Sequence, residues 1–330
     1  MFQRFSMLAR GLEITRSMTR GMLITGTLAL AIGVSSIGLD AQDAQQPVAA
    51  FKSSVDMVRV TAVVRDRKGR FVQDLKPRDF EVVDAGRSRA ISDLQSDTAG
   101  VSVAVLFDVS GSMEGHMTNA REAATQVLSW LDASRDEAAI YTFDTRLDER
   151  APFTTGLRTL PASIERVVPF GATSLHDAIA QTAQRVGERE GRRRAVVVLT
   201  DGADNASRMR PEDVSAIASA IDVPVYIFGI VASIDNPSEE TSTLPDRSAL
   251  TGPLFELAAW TGGHVFTAST PAQRGVAARQ IIDELRHQYL IAFESSGTPG
   301  WHPLVVRARN KDLTVRARSG YIAGQFRPSH

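Results

Sequence analysis

A chain of 330 residues corresponds to about two domains at roughly 150 residues each and is long enough to bury a large core. Its 43% hydrophobic and 23% charged residues match soluble globular proteins, which excludes wholesale disorder and a multi-span membrane protein. Lys and Arg number 37 against 38 Asp and Glu, so no bulk charge recruits a polyanion and nucleic acid is not expected as a partner. Cysteine is absent, which removes disulfides, thiolate metal sites and Cys nucleophiles and leaves only oxygen or imidazole to hold a metal.

Arg4, Arg10, Arg16 and Arg20 precede an uncharged stretch of 18 residues from Met22 to Leu39, with the small Ala41 just beyond. That order predicts a secretory signal peptide over residues 1–41. A retained N-terminal anchor is the alternative, because the stretch is just long enough to span a bilayer. Either way the protein is exported, to the periplasm, the exterior or the membrane surface, and contact with a membrane is expected only if the segment is retained. Without residues 1–41 the chain is mildly acidic.

Period-two alternation begins at Val58, Val60, Ala62 and Val64 and continues through Phe80 to Val83, an Asp84-Ala85-Gly86 turn and Ile91 to Leu94. This predicts a β meander. From Val101 apolar strands alternate with amphipathic helices, the signature of a parallel sheet covered on both faces. Strands are predicted at Val101 to Phe107, Ala138 to Phe143, Arg150 to Phe153, Ala195 to Thr200, Val225 to Ile230 and Val265 to Thr267. Helical spacing appears in Met117, Ala120, Ala124, Val127, Leu128 and Leu131 and again in Leu175, Ala178, Ile179, Ala183 and Val186, and a last helix is expected over about 272–287. Residues 232–253 lack periodicity and predict a long loop on the edge to which the preceding strand points. Near the end, Leu304 to Arg309 and Leu313 to Arg318 flank Asn310-Lys311-Asp312 like a hairpin. A few isolated strands are marginal in water, so the strands of the two ends are expected to pack together.

The fold class is therefore α/β: a doubly wound, mostly parallel sheet with a β-rich accessory module formed by the flanking segments. The expected organisation is a signal peptide or anchor over 1–41, an accessory segment over 51–97, the α/β domain over 100–287, and C-terminal strands over 288–325 that pack with the accessory segment.

Ligands of open α/β sheets gather at the carboxyl ends of strands. Two of the most apolar strands run into carboxylates there, Asp108-Val109-Ser110-Gly111-Ser112 and Asp201-Gly202. Asp108, Ser110 and Ser112 recur at every second residue, so one looping backbone can turn three oxygens toward one point. Gly171-Ala172-Thr173-Ser174 opens a helix on the same edge and adds a hydroxyl. Two carboxylates and three hydroxyls supply five single-oxygen contacts, whereas Mg²⁺ takes six oxygens and Ca²⁺ six to eight. A position is left for water or a partner.

The segment resembles a von Willebrand factor type A domain, whose metal-ion-dependent adhesion site reads Asp-x-Ser-x-Ser with a distant Thr and a distant Asp. Asp108, Ser110, Ser112, Thr173 and Asp201 match in that order. The flanking modules also resemble secreted bacterial proteins that carry such a domain. The resemblance implies Mg²⁺, with Mn²⁺ or Ca²⁺ as substitutes, bound at those five residues, and a protein ligand that supplies an acidic side chain to the metal. It implies adhesion or scaffolding rather than an enzyme.

The alternatives are a metal-assisted hydrolase and an assembly or chaperone factor for exported complexes. A hydrolase needs a general base near the metal; Asp144, His116 and His176 are the candidates. Asp144 reads as a turn cap, the two His as solvent-facing or capping groups, Asp204 as a supporting or surface group, and Arg192-Arg193-Arg194 as a solvated face. No Gly-x-Ser-x-Gly elbow or phosphate-binding Gly-rich motif occurs.

Overall fold

The computed structural model of the chain describes residues 57–96, 100–220, 222–230, 250 and 252–323. The segment 1–41 and nearly all of the loop 232–253 lie outside these residues. Among the described residues no helix is long and apolar enough to cross a membrane.

The chain opens with strands β1 (Met57–Arg65), β2 (Phe80–Asp84), β3 (Arg87–Arg89) and β4 (Ile91–Gln95). The α/β region follows with β5 (Val101–Asp108), α1 (Met117–Ser129), β6 (Glu137–Phe143), β7 (Leu147–Thr155) and the short α2 (Ala162–Glu165). It continues through α3 (Leu175–Gly187), β8 (Arg193–Thr200), α4 (Pro211–Ala220), β9 (Val225–Ile230), α5 (Gly252–Thr261), β10 (Val265–Ala268) and α6 (Pro271–Arg286). Strands β11 (Gln288–Glu294), β12 (Gly300–Ala308), β13 (Thr314–Ala317) and β14 (Gly320–Ala323) close the described chain.

The central sheet has the order β10-β9-β8-β5-β6-β7. It is parallel from β10 to β6, and β7 runs antiparallel along its edge. Strand β5 is buried along its whole length, as an interior strand covered on both faces must be. Its Val103, Val105 and Phe107 share a core cluster with Ala124 and Leu128 of α1 and Ile281 and Leu285 of α6. Its Ala104 and Leu106 share a core cluster with Ile179 and Ala183 of α3, Val214 of α4 and Leu257 of α5. Helix α6 starts on a reciprocal cap: Thr270 accepts from the Gln273 amide, the Gln273 side chain reaches back, and Pro271 fills the first turn. At Gly263, just after α5, an added Cβ would lie 1.9 Å from the Val225 carbonyl oxygen, so only glycine lets the chain enter β10 at that point.

The flanking strands form two antiparallel sheets, β13-β1-β11-β4 and β14-β12-β2-β3. Val58, Val60, Ala62 and Val64 of β1 face a shared core with Phe80, Val82, Tyr289, Phe293, Leu304 and Val306. Each sheet thus combines strands from both ends of the chain.

Four sequence readings change. The expected hairpin around Asn310-Lys311-Asp312 is a crossing between sheets: β12 pairs with β2 and β14, while β13 pairs with β1. A lone hairpin buries little, whereas a crossing lets both strands join a common core. Helices α4 and α5 were not announced by periodicity. In α4 the buried face mixes Val214 and Ala218 with Ser215 and Ser219, and α5 carries apolar residues on most sides, including the exposed Phe255. Strand β7 is longer than Arg150 to Phe153, since pairing with β6 supports it from Leu147 to Thr155. Finally, Arg192-Arg193-Arg194 is not a solvated face. Arg193 is buried within β8, and Arg192 lies 3.8 Å from the buried Glu137, which also takes two hydrogen bonds from Arg189 and one from Ser102.

Candidate metal centre

The parallel register pairs Phe107 with Leu199, so Asp108 at the end of β5 stands level with Thr200 at the end of β8. The Thr200 hydroxyl donates to Asp108 Oδ2 at 2.6 Å and accepts the Gly202 amide at 2.9 Å. Asp108 Oδ1 accepts the Ser110 amide at 3.0 Å and the Ser110 hydroxyl at 2.6 Å. Ser110 Oγ in turn lies 3.1 Å from Ser112 Oγ. The i, i+2, i+4 spacing therefore does collect three oxygens.

Thr173 reaches the same rim through backbone ties. The Gly111 amide donates to the Gly171 carbonyl at 3.0 Å and the Phe170 amide to the Val109 carbonyl at 3.0 Å. Gly171 has φ +86°, a left-handed turn that glycine adopts without strain, and it turns the chain into buried Thr173. The Thr173 amide donates to the Asn205 side chain at 2.8 Å, and the Thr173 carbonyl accepts from the Asn205 and Ala206 amides. Asp201 begins the loop that carries Asn205, and its own carboxylate accepts the Ala203 amide at 3.1 Å.

Asp108 is fully buried. Burial pushes its carboxyl up to about 6; the hydrogen bonds from Ser110 and Thr200 oppose the rise, and the neighbouring Asp201 charge adds to it. Among the described residues no Lys, Arg or His lies within ion-pair distance of Asp108 or Asp201; the ion pair of the adjoining loop joins His176 to Asp204 at 2.9 Å. No group of three His, Asp or Glu that could hold a metal occurs among the described residues. A cation here must draw on hydroxyls as well as carboxylates. All five side chains offer oxygen, which suits hard cations, and a hydroxyl can turn its lone pairs outward while its proton stays on Asp108. The donor set fits a divalent ion.

The remaining candidates have other partners. Asp204 accepts the His176 amide at 3.0 Å and the Ser207 hydroxyl at 2.6 Å. Burial alone would raise its carboxyl, but the hydrogen bonds from His176 and Ser207 outweigh that and hold it below the usual range. Asp144 takes the Arg146 amide on its side chain and the Ser174 amide on its carbonyl, the turn cap expected of it. His116 precedes α1 without a side-chain capping bond. Sequence reasoning missed Thr200, whose signal was its position level with Asp108 once β5 and β8 are taken as neighbours. It also missed Asn205 and Ser207, which no spacing marks.

A family model for the von Willebrand factor type A domain matches residues 103–203. No curated protein matches the chain in sequence. Among solved structures, the chain is similar to an aerotolerance-related membrane protein from Bacteroides fragilis, at 20% identity over 56% of this chain and 98% of that one, with a TM-score of 0.47. It is similar to a von Willebrand factor type A protein from Catenulispora acidiphila, at 14% identity over 83% of this chain and 75% of that one, with a TM-score of 0.45. A third is proximal thread matrix protein 1 of the mussel byssus with a zinc-occupied MIDAS motif, at 21% identity over 61% of this chain and 50% of that one, with a TM-score of 0.42. The matched stretch contains Asp108, Ser110, Ser112, Thr173 and Asp201, and residues 103–203 of this chain are a von Willebrand factor type A domain.

Proposed function

We propose that this chain is an exported, non-enzymatic protein-binding module that grips an acidic side chain of a partner through a divalent cation. Asp108, Ser110, Ser112, Thr173 and Asp201 hold the ion, Mg²⁺ by preference with Mn²⁺ or Ca²⁺ able to replace it. The observation that carries this reading is the buried Asp108 carboxyl beside Asp201, with no basic side chain among the described residues to balance either. Two carboxylates balance a dication, and neutral hydroxyls as the other ligands leave it electrophilic enough to favour an incoming carboxylate. Binding rather than hydrolysis is supported by the engagement of the nearby candidate bases, His176 with Asp204 and Asp144 with its own turn. Export is supported by the basic, then apolar, then small-residue order of residues 1–41.

Calorimetric titration of MgCl₂, MnCl₂ and CaCl₂ into wild type and Asp108→Ala tests the site. Wild type is expected to take up the ion and Asp108→Ala to lose the uptake. A pull-down from the native envelope fraction should recover the partner in Mg²⁺ and release it in EDTA. Absence of divalent uptake by wild type, or partner capture unaffected by EDTA, overturns the reading.

A further inference from the structure

Beside the candidate metal centre lies an apolar feature that the metal reading does not use. Val168 and Phe170 are each 80% exposed, and no other large apolar side chain among the described residues exceeds 66%. They stand on the loop between α2 and Thr173, and this loop is pinned at both ends. The Arg121 guanidinium donates to the Ile164 and Val167 carbonyls at 3.1 and 3.0 Å. At the other end Phe170 and Gly171 hydrogen-bond the backbone of the Asp108–Ser112 loop. The two side chains are thus held out to solvent by a fixed backbone, and packing within the described fold does not cover them.

Scattered single apolar residues need no explanation, but two within three positions on a fixed loop at the rim of a site mark a contact surface. We propose that Val168 and Phe170 form an apolar clamp for a protein partner whose metal-binding carboxylate stands one to three residues from an aliphatic or aromatic side chain. This deepens the metal-dependent reading and rests on it. The spacing follows from chain reach: Phe170 precedes Thr173 by three positions, a span of at most about 10 Å that the turn at Gly171 shortens, and a partner segment covers such a distance in one to three residues. The surroundings favour a protein over a lipid surface. Glu114 on the loop after β5 and Glu165 at the end of α2 are exposed there, against the exposed Arg166, and an anionic bilayer would be repelled where a lone carboxylate led to a bound cation would not.

The test uses the intact chain in MgCl₂ and two labelled peptides in a Gly/Ser background, one with a single Glu and one with Leu placed two residues from that Glu. Fluorescence anisotropy is expected to show the Leu peptide binding about tenfold tighter, the gain from burying one such side chain. In the Val168→Ser/Phe170→Ser double variant that gain should vanish while Mg²⁺ uptake and affinity for the Glu-only peptide persist. Equal binding of the two peptides, or a gain that survives the double substitution, overturns the clamp and leaves the metal site standing. Binding of wild type to phosphatidylcholine–phosphatidylglycerol vesicles, lost in the double variant, assigns the pair to a membrane and also overturns it. Failure of Mg²⁺ uptake overturns the clamp together with the site on which it rests.

Discussion

Asp108 is held in the fold in a state that the fold alone does not favour once it ionises. Burial pushes its carboxyl up from an ordinary 3.8 to about 6, so folding favours the neutral acid between those limits. The linked stability is fully present below pH 3.8 and is lost as pH rises toward about 6. Without metal, this group is expected to lower unfolding stability by about 3 kcal/mol between those limits. Urea unfolding of wild type and Asp108→Asn in EDTA from pH 4 to pH 7 checks this, the variant lacking that decline. A bound dication reverses the preference, and protons then compete with it: affinity at pH 5 should be roughly tenfold below that at pH 7. The aspartate was legible because it ends an apolar strand. Its support by Thr200 was not, since pairing between strands more than ninety positions apart leaves no local trace.

At the scale of elements, helix α3 starts on borrowed caps. Ser174 makes no side-chain capping bond; instead Asp204 and Ser207, from the loop after β8, accept or share the His176 and Asp177 amides. Orphan amide donors at a helix start need such acceptors, and here the acceptor loop is the one that Asp201 opens. Asp204→Ala is expected to cost about 1–2 kcal/mol and to loosen the seating of Thr173 against that loop. The hydrogen bonds hold the Asp204 carboxyl low, so its stabilisation is present above the ordinary carboxylate range and fades as pH falls below it. Thermal melts of wild type and Asp204→Ala should differ at neutral pH and converge in acid. Periodicity revealed α1 and α3, whose buried faces are apolar at helical spacing apart from Thr182 of α3, and overlooked α4 and α5, whose faces lack such a stripe.

Across the whole molecule, the sandwich and the α/β layers are joined by buried charge. Glu284 of α6 is 1% exposed and binds Arg65 of β1 at 2.9 Å and Arg316 of β13. Arg318 pairs with Asp222 at 3.5 Å, and the Ser319 amide donates to the Trp260 carbonyl at 3.0 Å. Removing one member of a buried ion pair strands its partners, which costs about 3–5 kcal/mol. Glu284→Ala is expected to lower the urea midpoint accordingly and to speed amide exchange in β1 and β13 before the central sheet responds. Uniform exchange across both parts would show that the contact does not couple them.

The sequence by itself determined the layered α/β plan, the strand ends on which Asp108 and Asp201 sit, and the three oxygens at alternate positions that follow β5. Those features are written in periods of two and 3.6 residues and in short loops, which are local. Only the tertiary structure decided that β12 and β13 part into separate sheets, that Glu137 gathers the arginines before β8, that Thr200 and Asp204 support the site, and that Val168 and Phe170 stand uncovered beside it. Each of these depends on which distant segment becomes a neighbour, and burial chooses that neighbour only when the whole chain has packed.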